Sequence, residues 1–128
     1  MKKIITLLAG CALFTAAAFA QVSSADAEKA FKIMEETEDV LAFKDIAPQA
    51  PFHVVIVPKQ HIPSPAHITA ENSDIAGKMI LAAAEIAKQE NLENGYRIVA
   101  NCGEDGGQTV GHIHFHVLAQ RNLSWPPG

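Results

Sequence analysis

Positive charge is scarce in this 128-residue chain, which has 10 lysines and arginines against 14 aspartates and glutamates, a formal net charge of −4. Proteins that bind duplex nucleic acid or anionic membrane surfaces use clustered positive charge, and this chain has no basic run. The composition therefore argues against both as partners. Internal repeats and low-complexity tracts are also lacking, so the length suits one domain.

The first twenty residues have the layout of an export signal. Met1-Lys2-Lys3 is a short positive head, residues 4–20 are nearly uncharged, and Ala18-Phe19-Ala20 has the small-x-small ending that precedes cleavage. We expect residues 1–20 to be a signal peptide cleaved after Ala20, and residues 21–128 to be a periplasmic or secreted domain that leaves the membrane. A retained anchor and lipoprotein processing at Cys11 are the alternatives, although the apolar run is short for a membrane span.

Cysteine is nearly absent from the chain. Loss of Cys11 with the signal leaves Cys102 alone, so the mature chain can form no internal disulfide, although export would permit one. We expect Cys102 to be a buried or half-buried residue rather than a reactive thiol.

Apolar periodicity predicts an α+β fold. Val54-Val55-Ile56-Val57, stopped by Pro58, is the strongest strand signal, and Asn72 is a credible N-cap for one long helix ending near residue 89. Strands, one helix and then strands, without regular alternation, favour an antiparallel sheet with the helix on one face. The predicted strands are residues 30–34 and 39–44 around an acidic turn at 35–38, then 52–57, 96–101 and 112–119; the predicted buried helical stripe is Ile75, Met79, Ala82, Ala83 and Ile86.

Three histidines alternate with three large apolar residues in His112-Ile113-His114-Phe115-His116-Val117. This period of two is typical of a strand with one polar and one buried face, so the imidazoles should lie on one side, alternate ones roughly 6.5–7 Å apart. The preceding loop, residues 101–111, has enough glycine to turn tightly and to present backbone N–H groups to an anion. A histidine row beside such a loop predicts a site for phosphate chemistry.

The residues alone leave other interpretations open. The histidine row could be an ordinary solvent-facing strand, or a zinc site, because His-x-His on a strand is a good ligand pair. His53 suits a structural role as well as a functional one, and His61 and His67 are expected at the surface. Asp45 could be a turn residue or accept ribose hydroxyls, and the lone Trp125, in a proline-bound tail, needs a surface to lie on.

The spacing His112-x-His114-x-His116-Val117-Leu118 is the signature of the histidine-triad (HIT) superfamily, which the chain resembles from about residue 33 to residue 128. Residues 41–51, 56–62 and 95–108 and the ending Trp125-Pro126-Pro127-Gly128 are similar to the Hint branch. The resemblance implies a homodimeric enzyme, without metal or other cofactor, that hydrolyses purine nucleoside phosphoramidates and related nucleotidyl conjugates.

The same resemblance implies a role for each matching residue. His114 would attack the α-phosphorus and form a nucleotidyl-histidine, which suits a neutral imidazole near pH 7. His112 and His116 would hold or donate protons around the phosphate and the leaving amine; the transferase branch has glutamine at the position of His116, so hydrolysis is favoured. The expected substrate contacts are Asn101, Gly107 and Thr109 with the phosphoryl oxygens, Phe43 and Ile46 with the base, Asp45 with the ribose, His53 at the edge of the site and Trp125 near the partner subunit's site.

Three features depart from the family pattern. Thr109 replaces the usual serine, residues 21–32 contain no recognisable base-pocket segment, and Val40 stands where many relatives have a cysteine, so a zinc site using that position is not expected. Two alternatives to the hydrolase are a nucleotide-binding module without turnover and a metal-binding protein that uses the three histidines.

Overall fold

The computed structural model describes residues 32–128, and the expected signal peptide with its cleavage site at Ala20 lies outside them. Within the described part, five strands form one antiparallel sheet and one α-helix packs on it, which confirms the expected fold class. No helix of this part is long and apolar enough to cross a bilayer. The elements are β1 (Ile33–Glu36), β2 (Val40–Lys44), β3 (Phe52–Pro58), a 3-10 helix at Pro65–His67, α1 (Asp74–Gln89), β4 (Tyr96–Val99) and β5 (Phe115–Ala119).

The sheet has the order β1-β2-β3-β5-β4, so β3 lies at its centre and all of its residues are buried. A continuous β-branched run suits such a strand, because both of its faces are covered. Val54 and Ile56 belong to the core cluster that includes residues of α1, and the alternating residues His53 and Val55 lie on the opposite face. The candidate site lies on that opposite face.

The helix α1 buries the predicted stripe, with Met79, Ala83 and Ile86 fully inaccessible. Its N-cap is Ser73 rather than Asn72, and Ser73 makes no side-chain capping bond. The Asn72 side chain instead accepts the Thr69 N–H (2.7 Å), closing the turn before the helix. The N-cap is therefore one residue later than expected, and the predicted cap, Asn72, is a turn residue just before it.

The strand limits differ from prediction where pairing with a distant strand decides them. β1 extends through Glu36 because Glu35 and Glu36 pair with Ala42 and Leu41 of β2, so the predicted acidic turn at 35–38 is wrong in its first half. Residues 30 and 31 of the predicted first strand lie outside the described part. β4 ends at Val99, where its pairing with His116 of β5 ends, rather than at residue 101.

β5 begins at Phe115, three residues later than predicted. The Ile113 N–H donates to the Ile62 carbonyl (2.7 Å), so the chain at His112 and His114 is held by a loop rather than by β3. The predicted alternation persists, since Ile113 and Phe115 join the core with α1. The histidine side is nevertheless not an open polar face, because His112 is 1% and His114 is 5% exposed.

Candidate active site

His114 is held with one ring nitrogen available for chemistry. Its Nδ1 lies 2.8 Å from the main-chain carbonyl of His112, and because a carbonyl only accepts, Nδ1 carries the proton. Nε2 of the neutral ring is then a free lone pair. This nitrogen has no hydrogen-bond partner within residues 32–128 and is not among the buried unpaired atoms there. A neutral imidazole nitrogen with a free lone pair is chemically able to act as a nucleophile.

His116 is oriented by His53, which lies diagonally across the β3–β5 pairing, two residues before Val55, the register partner of His116. The Gln49 N–H donates to His53 Nδ1 (3.0 Å), so the proton of neutral His53 is on Nε2. That Nε2–H lies 2.8 Å from His116 Nδ1, which must accept, and the proton of neutral His116 is therefore on its Nε2. The His114 and His116 rings meet edge to face with centroids 5.1 Å apart. The ring of His116, protonated on Nε2, thus lies beside the ring of His114.

Asp45 follows the end of β2 and approaches the same histidine pair. Its Oδ1 accepts the Ala47 N–H (2.8 Å), and its Oδ2 lies 3.4 Å from His53 Nε2 and 4.0 Å from His116 Nδ1. Asp45 is therefore a turn residue whose second carboxylate oxygen lies beside the histidine pair, and its contact with ribose hydroxyls stays a prediction.

His112 is positioned differently from the other two members of the row. Its Nε2 donates to the Pro58 carbonyl (2.9 Å), and its Nδ1 lies 2.9 Å from His61 Nδ1. Both nitrogens of this buried ring are therefore occupied by protein groups. This geometry leaves neither ring nitrogen of His112 without a protein partner for the expected exchange of protons with substrate, and the main-chain carbonyl of His112 faces His114 Nδ1.

Burial lowers the pKa of three imidazoles of the site, those of His53, His112 and His116. Desolvation lowers the pKa of His116 to about 4, with further lowering by His114 and His53, and Asp45 only partly opposes this. Burial also lowers the pKa of His53, against the opposing effect of Asp45. The pKa of His112 is lowered mainly by burial. The neutral tautomers of His53, His112 and His116 are therefore the forms expected near pH 7.

The glycine-rich loop before the triad is built largely on its own hydrogen bonds. The Gly107 N–H donates to Glu104 and the Gln108 N–H to Gly103, while the Asn101 side-chain amide donates to the Gly106 carbonyl. The Gln108 side chain ties the loop to the Pro63 and Val110 carbonyls, each at 2.8 Å. The predicted donors Asn101 and Gly107 are therefore already engaged, whereas Thr109 is exposed.

The expected base-binding and tail residues have contrasting environments. Phe43 on β2 is buried and pairs with Val55 on β3, and Ile46 is 41% exposed. Trp125 is 81% exposed. Arg97 of β4 holds the two residues just before Trp125 by donating hydrogen bonds to the Leu123 and Ser124 carbonyls at 3.1 and 2.6 Å. Arg97 had no signal in the sequence, because an isolated arginine on a strand does not indicate which carbonyls it meets.

Within residues 32–128, one cluster has the spacing of metal ligands, namely Asp45, His53 and His116. Their facing atoms are 2.8, 3.4 and 4.0 Å apart, where tetrahedral zinc needs roughly 3.3 Å between ligand atoms. His53 fits poorly, because a zinc-bound histidine donates from its second nitrogen and this one accepts the Gln49 N–H there. The expected alternative of zinc on all three triad histidines does not match the geometry either, since both His112 nitrogens have partners.

Comparison with known proteins identifies this arrangement. The HIT domain profile matches residues 26–123. The chain belongs to the HIT domain family. The 14 kDa zinc-binding protein of Zea mays is 46% identical over 98 residues, 75% of this chain and 77% of the maize protein.

Two solved HIT structures extend the match to three dimensions. The HIT family hydrolase of Legionella pneumophila is 41% identical, with a TM-score of 0.74 over 77% of this chain and 88% of that chain. The histidine triad nucleotide-binding protein of Candida albicans is 27% identical, with a TM-score of 0.63 over 75% of this chain and 74% of that chain. The predicted superfamily and its fold are confirmed.

In this HIT domain, several residues have contacts or exposure that the sequence did not indicate. His61 is exposed as expected, yet it contacts the buried His112. His67 is also exposed, and its Nδ1 is hydrogen-bonded to the Ser64 hydroxyl (2.7 Å). Cys102 is exposed, so its expected burial is wrong, because the loop that carries it turns outward on its own hydrogen bonds.

Proposed function

We propose that this protein hydrolyses nucleoside phosphoramidates and related nucleotidyl conjugates through a nucleotidyl intermediate on His114. The observation that carries the proposal is the bond from His114 Nδ1–H to the His112 carbonyl (2.8 Å), which leaves Nε2 as the nucleophilic lone pair. The hydrolase from Legionella pneumophila supports the reaction class, and the nucleotide-binding protein from Candida albicans supports the ligand class.

In the first step, His114 Nε2 attacks the α-phosphorus and the bond from phosphorus to the leaving nitrogen breaks. The anionic phosphate beside His116 raises its proton affinity, and the second proton binds Nδ1 once the His53 Nε2–H turns from that nitrogen to Asp45 Oδ2, 3.4 Å away. Asp45, 4.0 Å from His116 Nδ1, also stabilises the imidazolium. The proton gained from solvent passes from His116 to the departing nitrogen, which leaves as the amine. His114 is then a nucleotidyl-imidazolium whose Nδ1–H still donates to the His112 carbonyl.

In the second step, water attacks the same phosphorus from the side that the amine has left. The neutral His116 takes a proton from this water, and the bond between phosphorus and His114 Nε2 breaks with its electron pair returning to nitrogen. The product is a nucleoside monophosphate, and His116 returns its extra proton to solvent. Splitting the displacement into two steps lets one histidine serve as acid and then as base.

The nucleotide would lie on the sheet face opposite α1. Ile46, partly exposed, and the buried Phe43 would bound the base, and Asp45 would accept from the ribose hydroxyls. The Thr109 hydroxyl and the second N–H of the Asn101 amide would donate to phosphoryl oxygens. Gly107 would contribute its N–H only after its bond to Glu104 opens.

We also propose that the chain forms a homodimer. Tyr96 on the edge strand β4 and Ile80 and Leu81 on α1 are exposed apolar residues, which a second copy would cover. Trp125 would then reach the partner subunit's site and influence the choice of leaving group. Analytical ultracentrifugation should give twice the chain mass, and a monomer at micromolar concentration would contradict the dimer.

Export is proposed from the first twenty residues. Mass spectrometry of the protein isolated from an exporting bacterial host should identify Gln21 as its first residue. A diacylglycerol-modified Cys11 would instead establish a lipoprotein.

The test of the enzymatic proposal is AMP release from adenosine 5′-phosphoramidate in the presence of EDTA. His114→Ala should lower kcat by at least about 10³-fold, because no other group in the site replaces the covalent step. His67→Ala is the matched control, an exposed histidine without contact to the triad, and should retain wild-type turnover. Circular dichroism checks that both variants fold; wild-type turnover by His114→Ala would rule out the proposed nucleophile.

Two alternative outcomes identify different functions. Nucleotide binding by calorimetry without product release would indicate a binding module. Stoichiometric zinc in protein purified without a tag, with loss of that zinc in His53→Ala, would indicate a metal site at Asp45, His53 and His116. The zinc-binding relative from Zea mays favours this second candidate, although the spacing of the three side chains does not. Full activity with EDTA and no bound metal would exclude it.

A further inference from the structure

His61 is an exposed side chain whose only described partner is a buried one. Its Nδ1 lies 2.9 Å from Nδ1 of His112, and the two rings are tilted with centroids 5.0 Å apart. The neighbouring main chains are also joined, since Ile113 N–H donates to the Ile62 carbonyl (2.7 Å). The loop at residue 61 and the start of the triad are therefore held together at two adjacent positions.

One proton lies between the two Nδ1 atoms, and the surroundings determine which ring carries it. His112 Nε2 faces the Pro58 carbonyl (2.9 Å), so the proton of neutral His112 is on Nε2 and its Nδ1 must accept. Double protonation of a ring that is 1% exposed is disfavoured by desolvation. The donor is therefore His61 Nδ1–H.

The same residue, His112, orients the nucleophile through its main chain. Its carbonyl accepts the His114 Nδ1–H at 2.8 Å, which keeps the His114 lone pair on Nε2. The direction of this carbonyl depends on where the His112 ring is anchored, at Pro58 on one side and at His61 on the other. Removing the His61 donor would leave a buried acceptor unpaired, so the His112 ring would rotate or admit water.

We propose that His61 is a positioning residue for the nucleophile His114, acting through the ring and the carbonyl of His112. The proposal rests on the proposed function only for its kinetic consequence; the tautomers can be measured without turnover. His61 touches neither the reacting atoms nor His114. Its loss should therefore lower kcat and leave KM nearly unchanged.

The kinetic test compares three variants in the phosphoramidate assay. His61→Leu removes the donor at similar volume and should lower kcat about 10-fold or more with KM within about twofold, since small displacements of a nucleophile are costly. His61→Asn places an amide N–H near the position of Nδ1 and should restore kcat to within about threefold of wild type. His67→Leu, at an exposed histidine of the same loop, should leave kcat unchanged.

The structural test is the tautomer of each ring, read by long-range 1H–15N correlation spectra of 15N-histidine-labelled protein. Wild type should show His112 protonated on Nε2 and both His61 and His114 on Nδ1. His61→Leu should convert His114 into a mixture of tautomers, and His61→Asn should not. If His61→Leu does not fold, His61→Ala replaces it in both measurements.

Several results would overturn the proposal. Wild-type kcat in the folded Leu or Ala variant would do so, as would equal impairment of the Leu and Asn variants. A wild-type His112 protonated on Nδ1 would reverse the assigned donor. If wild type itself shows no turnover, the proposed function fails, and the tautomer of His114 in the variants still decides whether His61 positions it.

Discussion

At the scale of single residues, main-chain groups determine the protonation of the site. A ring nitrogen of His53 contacts the Gln49 N–H, and one of His112 contacts the Pro58 carbonyl. A ring nitrogen of His114 contacts the His112 carbonyl. A main-chain N–H can only donate and a carbonyl can only accept, so each contact selects a tautomer. These hydrogen bonds should survive most substitutions at Gln49 and Pro58. A new side chain at either residue leaves the main-chain N–H of residue 49 or the main-chain carbonyl of residue 58 in place.

At the scale of single residues, substitution of Gly106 tests how tightly the glycine-rich loop is packed. A Cβ at this residue would collide with the carbonyl and the nitrogen of Cys102, both of which are main-chain atoms that cannot move aside cheaply. Gly106→Ala should therefore lower the free energy of unfolding by about 1–3 kcal/mol and reduce phosphoramidate turnover. Urea denaturation and the AMP-release assay check the two effects.

Gly77 in α1 is the matched control for that substitution, because a Cβ there meets no atom within 4 Å. Gly77→Ala should raise the free energy of unfolding by up to about 1 kcal/mol through helix propensity and leave turnover unchanged. Equal effects of the two alanines would show that loop packing at Gly106 is unimportant.

At the scale of elements, the contact between β1 and α1 includes two acids. Glu35 of β1 faces Glu85 of α1, and the pKa of Glu35 is raised by burial, then by its hydrogen bond and its like charge with Glu85. Its Oε2 is the one buried side-chain oxygen or nitrogen in residues 32–128 without a partner. An acid with a raised folded pKa favours the folded state at low pH, and this contribution is lost as pH rises through that pKa.

Glu85→Gln should therefore stabilise the protein at pH 7, because it removes the like charge and supplies an amide donor to Glu35. The expected gain in the free energy of unfolding is about 0.5 kcal/mol after allowance for solvent screening. Urea denaturation at pH 7 and pH 4 should show that the gain disappears at the lower pH. Glu90→Gln, at an exposed residue after α1, should give no gain, and a larger gain there would contradict the Glu35 explanation.

At the scale of the whole molecule, the histidines make folding dependent on pH. Burial and neighbouring imidazoles lower the pKa of His116 to about 4, and the pKa values of His53 and His112 are also lowered. Between the lowered values and about 6.5, the unfolded chain binds more protons than the folded one. Stability is therefore full above about pH 6.5 and falls as the pH decreases toward 4.

His116→Gln should remove part of this dependence, at most about 3 kcal/mol between pH 7 and pH 4. Urea denaturation across that range measures it, with His67→Gln as a control histidine outside the cluster. A pH profile of His116→Gln that superimposes on that of wild type would show that this residue does not contribute to acid destabilisation.

The sequence predicted the secondary-structure elements more accurately than it predicted which side chains are buried or exposed. The alternation of residues 112–117 correctly separated Ile113 and Phe115, which join the core, from the histidines on the other face. The motif also indicated His114 and His116 correctly as neighbours in one site, with ring centroids 5.1 Å apart. Burial of His112 and exposure of Cys102 were not predicted, because both depend on loops that meet only in the folded molecule.

Local pattern determined the α+β class, the stripe of α1, the central strand β3 and the family signature, since periodicity and spacing are properties of a continuous segment. Tertiary structure alone decided which ring nitrogen carries the proton in His61, His112 and His116, because the deciding partners of these rings are far apart in the chain. His61 and His112 are separated by 51 residues, Pro58 and His112 by 54, and His53 and His116 by 63. A hydrogen bond depends on distances of tenths of an ångström, which only the folded arrangement of the strands and loops provides.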